Sequence, residues 1–133
     1  MNKFFVLVLV MFLSLPVLAA EVSKAKPTQH LNIPDVTSME DAKLIFLRKT
    51  LEMKDKKSIG LEEASEIHII TYTLEKSVAY FAENLTGEKQ SLAKQMAVVV
   101  EDIHINSESN QLHELEKHLK KYFDMADKFI FCF

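Results

Sequence analysis

From residue 38 to the C-terminus, apolar residues recur at alternating spacings of three and four, the period of helices that bury one face. A first helix is marked by Met39, Ala42, Ile45, Phe46, Leu47 and Leu51. It opens on Thr37, a capping-box residue with Glu40 reaching back, and ends near Met53 at the charged loop KDKKSIG. A second opens at Leu61-Glu62-Glu63, with acids where the helix dipole favours them, and carries the stripe Ala64, Ile67, Thr71, Leu74, Val78, Phe81 and Leu85. Gly87 suits the position just past that helix, where the left-handed backbone costs glycine least. The third helix follows at once, with Leu92, Met96, Val99 and Ile103 on one stripe and Ala93, Ala97, Val100 and His104 beside it. NSESN, residues 106–110, is rich in capping types and reads as the next break. The fourth helix carries Leu112, Leu115, Leu119, Tyr122, Phe123, Ala126, Phe129 and Ile130. Short connections make consecutive helices antiparallel, so the pattern predicts an all-α, up-down-up-down four-helix bundle over residues 38–133.

Composition supports this reading, because beyond residue 37 the chain has Gly60 and Gly87 as its only glycines and no proline. The N-terminus differs. Lys3, the apolar run Phe4 to Leu15, Pro16 and the small residues Ala19 and Ala20 have the form of a secretory signal peptide over residues 1–20, cleaved after Ala19 or Ala20. The run is too short for a membrane span, which needs roughly 20 apolar residues. Residues 21–37 contain Pro27, His30 and Pro34 without a sustained period and read as a partly disordered arm. The expected product is a soluble periplasmic chain of about 113 residues, one domain in size, with no membrane association after cleavage.

Loss of Lys3 with the leader leaves 15 basic against 19 acidic residues, a net charge of −4. That balance excludes a nucleic-acid partner, which needs a clustered basic surface; the one basic concentration, Lys54 to Lys57, fits a solvated loop. Cys132 is the single cysteine, so no internal disulfide forms. It either pairs with another chain in a homodimer or partner complex, or is a free thiol packed between Phe131 and Phe133.

Candidate chemistry gathers on the second helix. Leu61, Ser65, His68, Tyr72, Glu75, Ala79 and Ala82 form a second stripe, small and polar, so His68, Tyr72 and Glu75 share one face. His68 stands 19 residues before Gly87 and His104 stands 17 after it. Across an antiparallel hairpin that is a height difference of roughly 3 Å at 1.5 Å per residue. His113 reaches the same level from the fourth helix, on a mostly polar face. With Glu101 and Glu108 a turn to either side of His104, the group offers nitrogen and oxygen ligands of the kind zinc, copper or nickel take. The alternative is structural: core-edge histidines hydrogen-bonded to Glu101, Glu108 or each other. A di-iron site is matched by only one Glu-x-x-His, Glu101 to His104. Covalent haem is excluded by the missing C-x-x-C-H. A b-type haem between His68 and His104 has little room on helices roughly 8–10 Å apart; Met96, Met125 and His118 are the other conceivable ligands, with core packing the simpler role for His118. No phosphate loop or G-x-S-x-G elbow is present, and the expectation is that the protein is not an enzyme.

EIHIITYTLEKSV and VVVEDIHINSES resemble the hallmark stretches of a family of short exported gammaproteobacterial proteins known only as a domain of unknown function. The residues that carry the resemblance are Ile67-His68, Thr71-Tyr72-Thr73-Leu74-Glu75, Glu101, His104 and Ser107-Glu108, while the aromatic end from Phe129 to Phe133 departs from it. The resemblance implies an exported helical protein and no activity. Two functions stand: an interaction or structural module of the cell envelope whose aromatic C-terminus docks a partner, or a transition-metal binder, with b-type haem as a lesser variant, using His68 and His104.

Overall fold

The computed structural model describes residues 32–133, so the predicted leader and residues 21–31 of the predicted arm lie outside the described residues. Four helices follow: α1 (Met39–Lys54), α2 (Leu61–Asn84), α3 (Gly87–Glu108) and α4 (Leu112–Ile130). No strand is present among the described residues. Successive helices pack as neighbours, and cross-helix pairs run in opposite residue order: Thr71 and Ala82 of α2 meet His104 and Gln90 of α3, and Phe46 and Thr50 of α1 meet Phe129 and Tyr122 of α4. The result is the expected antiparallel bundle.

The stripes read from the sequence are largely the buried ones. Ala64, Ile67, Thr71, Leu74, Val78 and Phe81 of α2 face inward, as do Leu115, Leu119, Tyr122, Ala126 and Phe129 of α4. Phe46 sits at the centre of the α1 end, edge-on to Phe81 at 5.7 Å, Phe129 at 5.5 Å and Tyr122 at 6.3 Å between ring centroids. Such pairs add about 0.5–1.5 kcal/mol each beyond the area they bury. Phe133 reaches back to within 4.9 Å of Phe129, so the C-terminal end closes this aromatic group. Phe131 remains exposed.

Several boundaries differ from the sequence reading. Ser38, not Thr37, caps α1: its extended backbone lets Oγ accept from the Asp41 N–H at 3.1 Å. At α2 the cap is Gly60, whose N–H donates to Glu63 Oε2 at 2.9 Å. Gly87 does not close α2. That helix ends at Asn84, Leu85 and Thr86 are extended, and Gly87 opens α3 with φ 63°, a left-handed conformation an L side chain resists. NSESN is mostly helical as well. Asn106 and Ser107 are buried in the last turn of α3, bonded to the Asp102 and His104 carbonyls, and the break falls at Ser109 to Gln111 with Asn110 at φ 54°.

The root of the arm is fixed to the body. Asp35 pairs with Lys76 of α2, whose ammonium holds the Asp35 carboxyl below its usual pKa, and Val36 packs against the core. Among the described residues no helix is long and apolar enough to cross a membrane.

Candidate functional site

The α2/α3 seam differs from the rest of the bundle. On its outer edge stand the small residues Ala79 and Ala97 with a set of polar side chains between them and Glu108. His68, a turn before Tyr72 on α2, is buried. Its ring lies 4.6 Å from that of His104 on α3 and 5.1 Å from that of Tyr72, and Tyr72 and His104 are 4.9 Å apart. All three pairs are edge to face, so the rings form a closed triangle in van der Waals contact.

Hydrogen bonds set the protonation pattern. Thr71 Oγ1 donates to the His68 carbonyl at 2.6 Å. With that proton committed, Thr71 Oγ1 can only accept from His104 Nδ1, 3.2 Å away. Glu75 Oε1 lies 2.8 Å from the same nitrogen. His104 therefore carries its proton on Nδ1, shared between a carboxylate and a hydroxyl, and in the neutral ring Nε2 holds the lone pair. The Tyr72 hydroxyl is 3.2 Å from His68 Nε2. Burial raises the Tyr72 pKa, and the charges of Glu108 and Glu75 raise it further, so the phenol keeps its proton.

An open cleft of about 550 Å³ runs along this seam, lined by Tyr72, Glu75, Ala79, Ala97, Glu101, His104, Ile105 and Glu108. Its floor is mostly carbon and its rim carries three carboxylates; among the described residues that line it there is no lysine or arginine. A smaller cavity of about 340 Å³ adjoins His68, Ser65 and Ser107, and Glu108 borders both.

The side chains singled out in the sequence are thus brought to one place, with one change of partner. The carboxylate on His104 is Glu75 from the neighbouring helix, whereas the spacing had pointed to Glu101 and Glu108 on its own helix. His113 is exposed and lines neither of the two cavities. Among the described residues no set of three or more His, Cys, Asp or Glu side chains is gathered to hold a metal ion, and the His68 and His104 rings touch directly, leaving no gap for a porphyrin between them.

Two polar nodes escaped the sequence reading. The Tyr122 hydroxyl, buried at the α1/α4 contact, meets Thr50 Oγ1 at 2.6 Å; tyrosine in an apolar stripe signals such a need, but not the partner. At α3/α4, His118 Nδ1 lies 2.9 Å from the Glu114 carbonyl and 3.1 Å from Asn106 Nδ2, with Nε2 3.6 Å from Asp102. His118 is a cross-helix polar tie rather than simple packing. Cys132 is a free, half-buried thiol whose Sγ lies 3.4 Å from the Lys128 carbonyl.

A family described as a family of unknown function (DUF6746) matches residues 1–130. No curated protein and no solved structure matches the chain.

Proposed function

The chain belongs to that family of unknown function, which supplies no reaction, and from this premise we propose that the protein is a non-enzymatic binding module of the cell envelope whose α2/α3 cleft receives a positively charged group. The observation that carries the reading is the cleft itself. Glu75, Glu101 and Glu108 stand around a mostly apolar floor, with Tyr72 and His104 alongside. Carboxylates placed over a low-dielectric floor attract cations more strongly than the same groups in open solvent, and aromatic faces favour ammonium or guanidinium. A lysine or arginine side chain of a protein partner, or a small amine, has this chemistry. The non-enzymatic part of the reading rests on the missing phosphate and nucleophile motifs, and the envelope location on the leader-like N-terminus.

A second reading is favoured by one contact. A carboxylate on His104 Nδ1 is the arrangement that orients a metal-binding imidazole through its other nitrogen. Glu101 and Glu108, both exposed, stand about one turn to either side of His104 on α3. Zinc, copper or nickel would need that rearrangement, since the donors are not gathered as they stand. Haem is not proposed.

The test is a titration followed by amide NMR shifts, using agmatine and N-acetyl-lysinamide in one arm and zinc in the other. The reading expects both amines to shift Tyr72, Glu75, Glu101, His104 and Glu108, with loss of the effect in Glu101→Gln/Glu108→Gln and in high salt. One-to-one zinc binding with no response to amines would replace it by the metal reading. No response to either probe would overturn both.

A further inference from the structure

The outward face of α1 carries leucines that the bundle does not use. Ala42, Phe46, Thr50 and Met53 are the buried residues of that helix. At about 100° per residue they lie opposite the side that bears Leu44, Leu47 and Leu51, which are 60%, 37% and 59% exposed. Their spacings of three and four are those of the a and d positions in a coiled-coil seam. Lysine stems can shield such a seam. Here the two lysines on one border of it are committed to α4 and the C-terminal end: Lys43 Nζ lies 4.6 Å from the centre of the Phe133 ring, while Lys54 pairs with Asp127 and lies 5.6 Å from the centre of Phe123. The other border carries Asp41 and Arg48, both exposed and of opposite charge, two turns apart.

We propose that α1 of a second copy covers this face in an antiparallel, two-fold symmetric pair, with Leu44 of each copy facing Leu47 of the other. A two-fold axis across antiparallel helices puts the Asp41 and Arg48 borders of both copies on the same side. In this register Asp41 comes level with residue 50 of the second copy, two residues or roughly 3 Å along the axis from its Arg48. Symmetry makes that complementary pair twice. Charge argues against the neighbouring arrangements. Sliding by one layer, so that Leu47 faces Leu51, brings Arg48 to Arg48 and Asp41 to Asp55 of the second copy. A parallel pair brings Lys43 of one copy to Arg48 of the other, since a g position meets the e position five residues on. One helix face of 16 residues is roughly 24 Å long and 10 Å wide, less than a permanent dimer buries, so the pair forms reversibly and depends on concentration. α1 takes no part in the α2/α3 cleft, and the inference stands apart from the cation reading.

The test is sedimentation equilibrium of the full chain as purified from the cell, at low salt and with reductant so that Cys132 cannot link two copies, from about 10 µM to about 1 mM, a range suited to so small an interface. A monomer–dimer equilibrium is expected. Leu44→Gln/Leu51→Gln should weaken it at least about 10-fold and leave the urea midpoint of the monomer unchanged, because both side chains are exposed. Arg48→Asp should weaken it about 3- to 10-fold, as two attractive contacts become repulsive, and Asp41→Arg/Arg48→Asp should restore it. A chain that stays monomeric to about 1 mM overturns the proposal, whatever other partner the face then serves. A dimer indifferent to the leucine substitutions lies on another surface and also overturns it. Tightening by Arg48→Asp would mean that Lys43 faces residue 48, the parallel arrangement, and failure of the double exchange to restore association would mean that Asp41 and Arg48 do not meet; either result overturns the antiparallel pair.

Discussion

Tyr122 offers a quantitative test of how the interior is built. The side chain is completely buried and its hydroxyl has Thr50 as partner at 2.6 Å. Burial pushes the phenol well above its ordinary pKa of 10, and the hydrogen bond from Thr50 pulls it only partly back. In the unfolded chain the same group ionises near 10. Above that pH the unfolded state has lost a proton that the native state keeps, so the stabilising contribution is intact below about pH 10 and falls by about 1.4 kcal/mol per pH unit beyond it. Tyr122→Phe removes the titration. It also removes one neutral hydrogen bond, and because Thr50 can turn its hydroxyl to a carbonyl of its own helix, the cost near neutrality is expected at about 1 kcal/mol. The variant should therefore be less stable at pH 7, equal to the wild type near about pH 11, and more stable beyond that. Urea unfolding at pH 7 to 11.5, followed by far-ultraviolet circular dichroism, measures both curves. Every other side chain is common to both proteins, so the difference isolates Tyr122. Curves that stay parallel to pH 11.5 would refute the argument, since they would mean that Tyr122 ionises in the native state as easily as in water.

Tyr72→Phe keeps the ring triangle and removes the hydroxyl that bonds to His68 Nε2, so it should lower stability by about 1–2 kcal/mol at pH 7; an unchanged urea midpoint would show that the 3.2 Å bond contributes nothing. Gly87→Ala forces an alanine to φ 63° and should cost about 1–2 kcal/mol, with Gly87→Asn costing less, and equal stabilities of all three would contradict the left-handed turn. The proposed cleaved leader predicts that N-terminal sequencing of the purified protein begins at Ala20 or Glu21, and an intact Met1 on membrane-bound protein would rule it out.

Helical periodicity made most of the core legible, because a residue repeated every three or four positions has only one side of a helix to occupy. It was less informative for α1, where Leu47 and Leu51 belong to the apolar pattern yet lie exposed beside Leu44, while Ala42, Phe46 and Met53 are buried. A helix with apolar residues on two faces has no single period from which to choose the inner one. Local chemistry misled at NSESN, since Asn106 and Ser107 bond to carbonyls of their own helix as readily as they would cap a new one. The meeting of His68 and His104 was legible for a different reason. A turn of two residues fixes the register of an antiparallel hairpin, and the helical rise converts residue counts to heights. Counting gives height and not azimuth, so it could not distinguish Glu75 from Glu101 and Glu108 as the partner of His104, nor pair Thr50 with Tyr122 across the bundle.

The arrangement at the seam bears on what it is for. A register device needs buried polar groups bonded to one another, and the contacts of Thr71, His104 and Glu75 with the Tyr72–His68 bond are of that kind. Such a network requires neither Ala79 and Ala97, which leave the seam open above it, nor two further carboxylates at Glu101 and Glu108 with the like charge of Glu75 nearby. Three glutamates around one depression repel each other, and larger side chains at 79 and 97 would close the depression and bury more carbon. Both features weigh against stability and in favour of a visiting cation, whose charge would turn the repulsion into attraction. The argument has a direct consequence for Ala97→Leu: filling the cleft should stabilise the bundle or leave it unchanged while abolishing any response to agmatine, and a variant that still binds the amine would detach the cation from this cleft altogether.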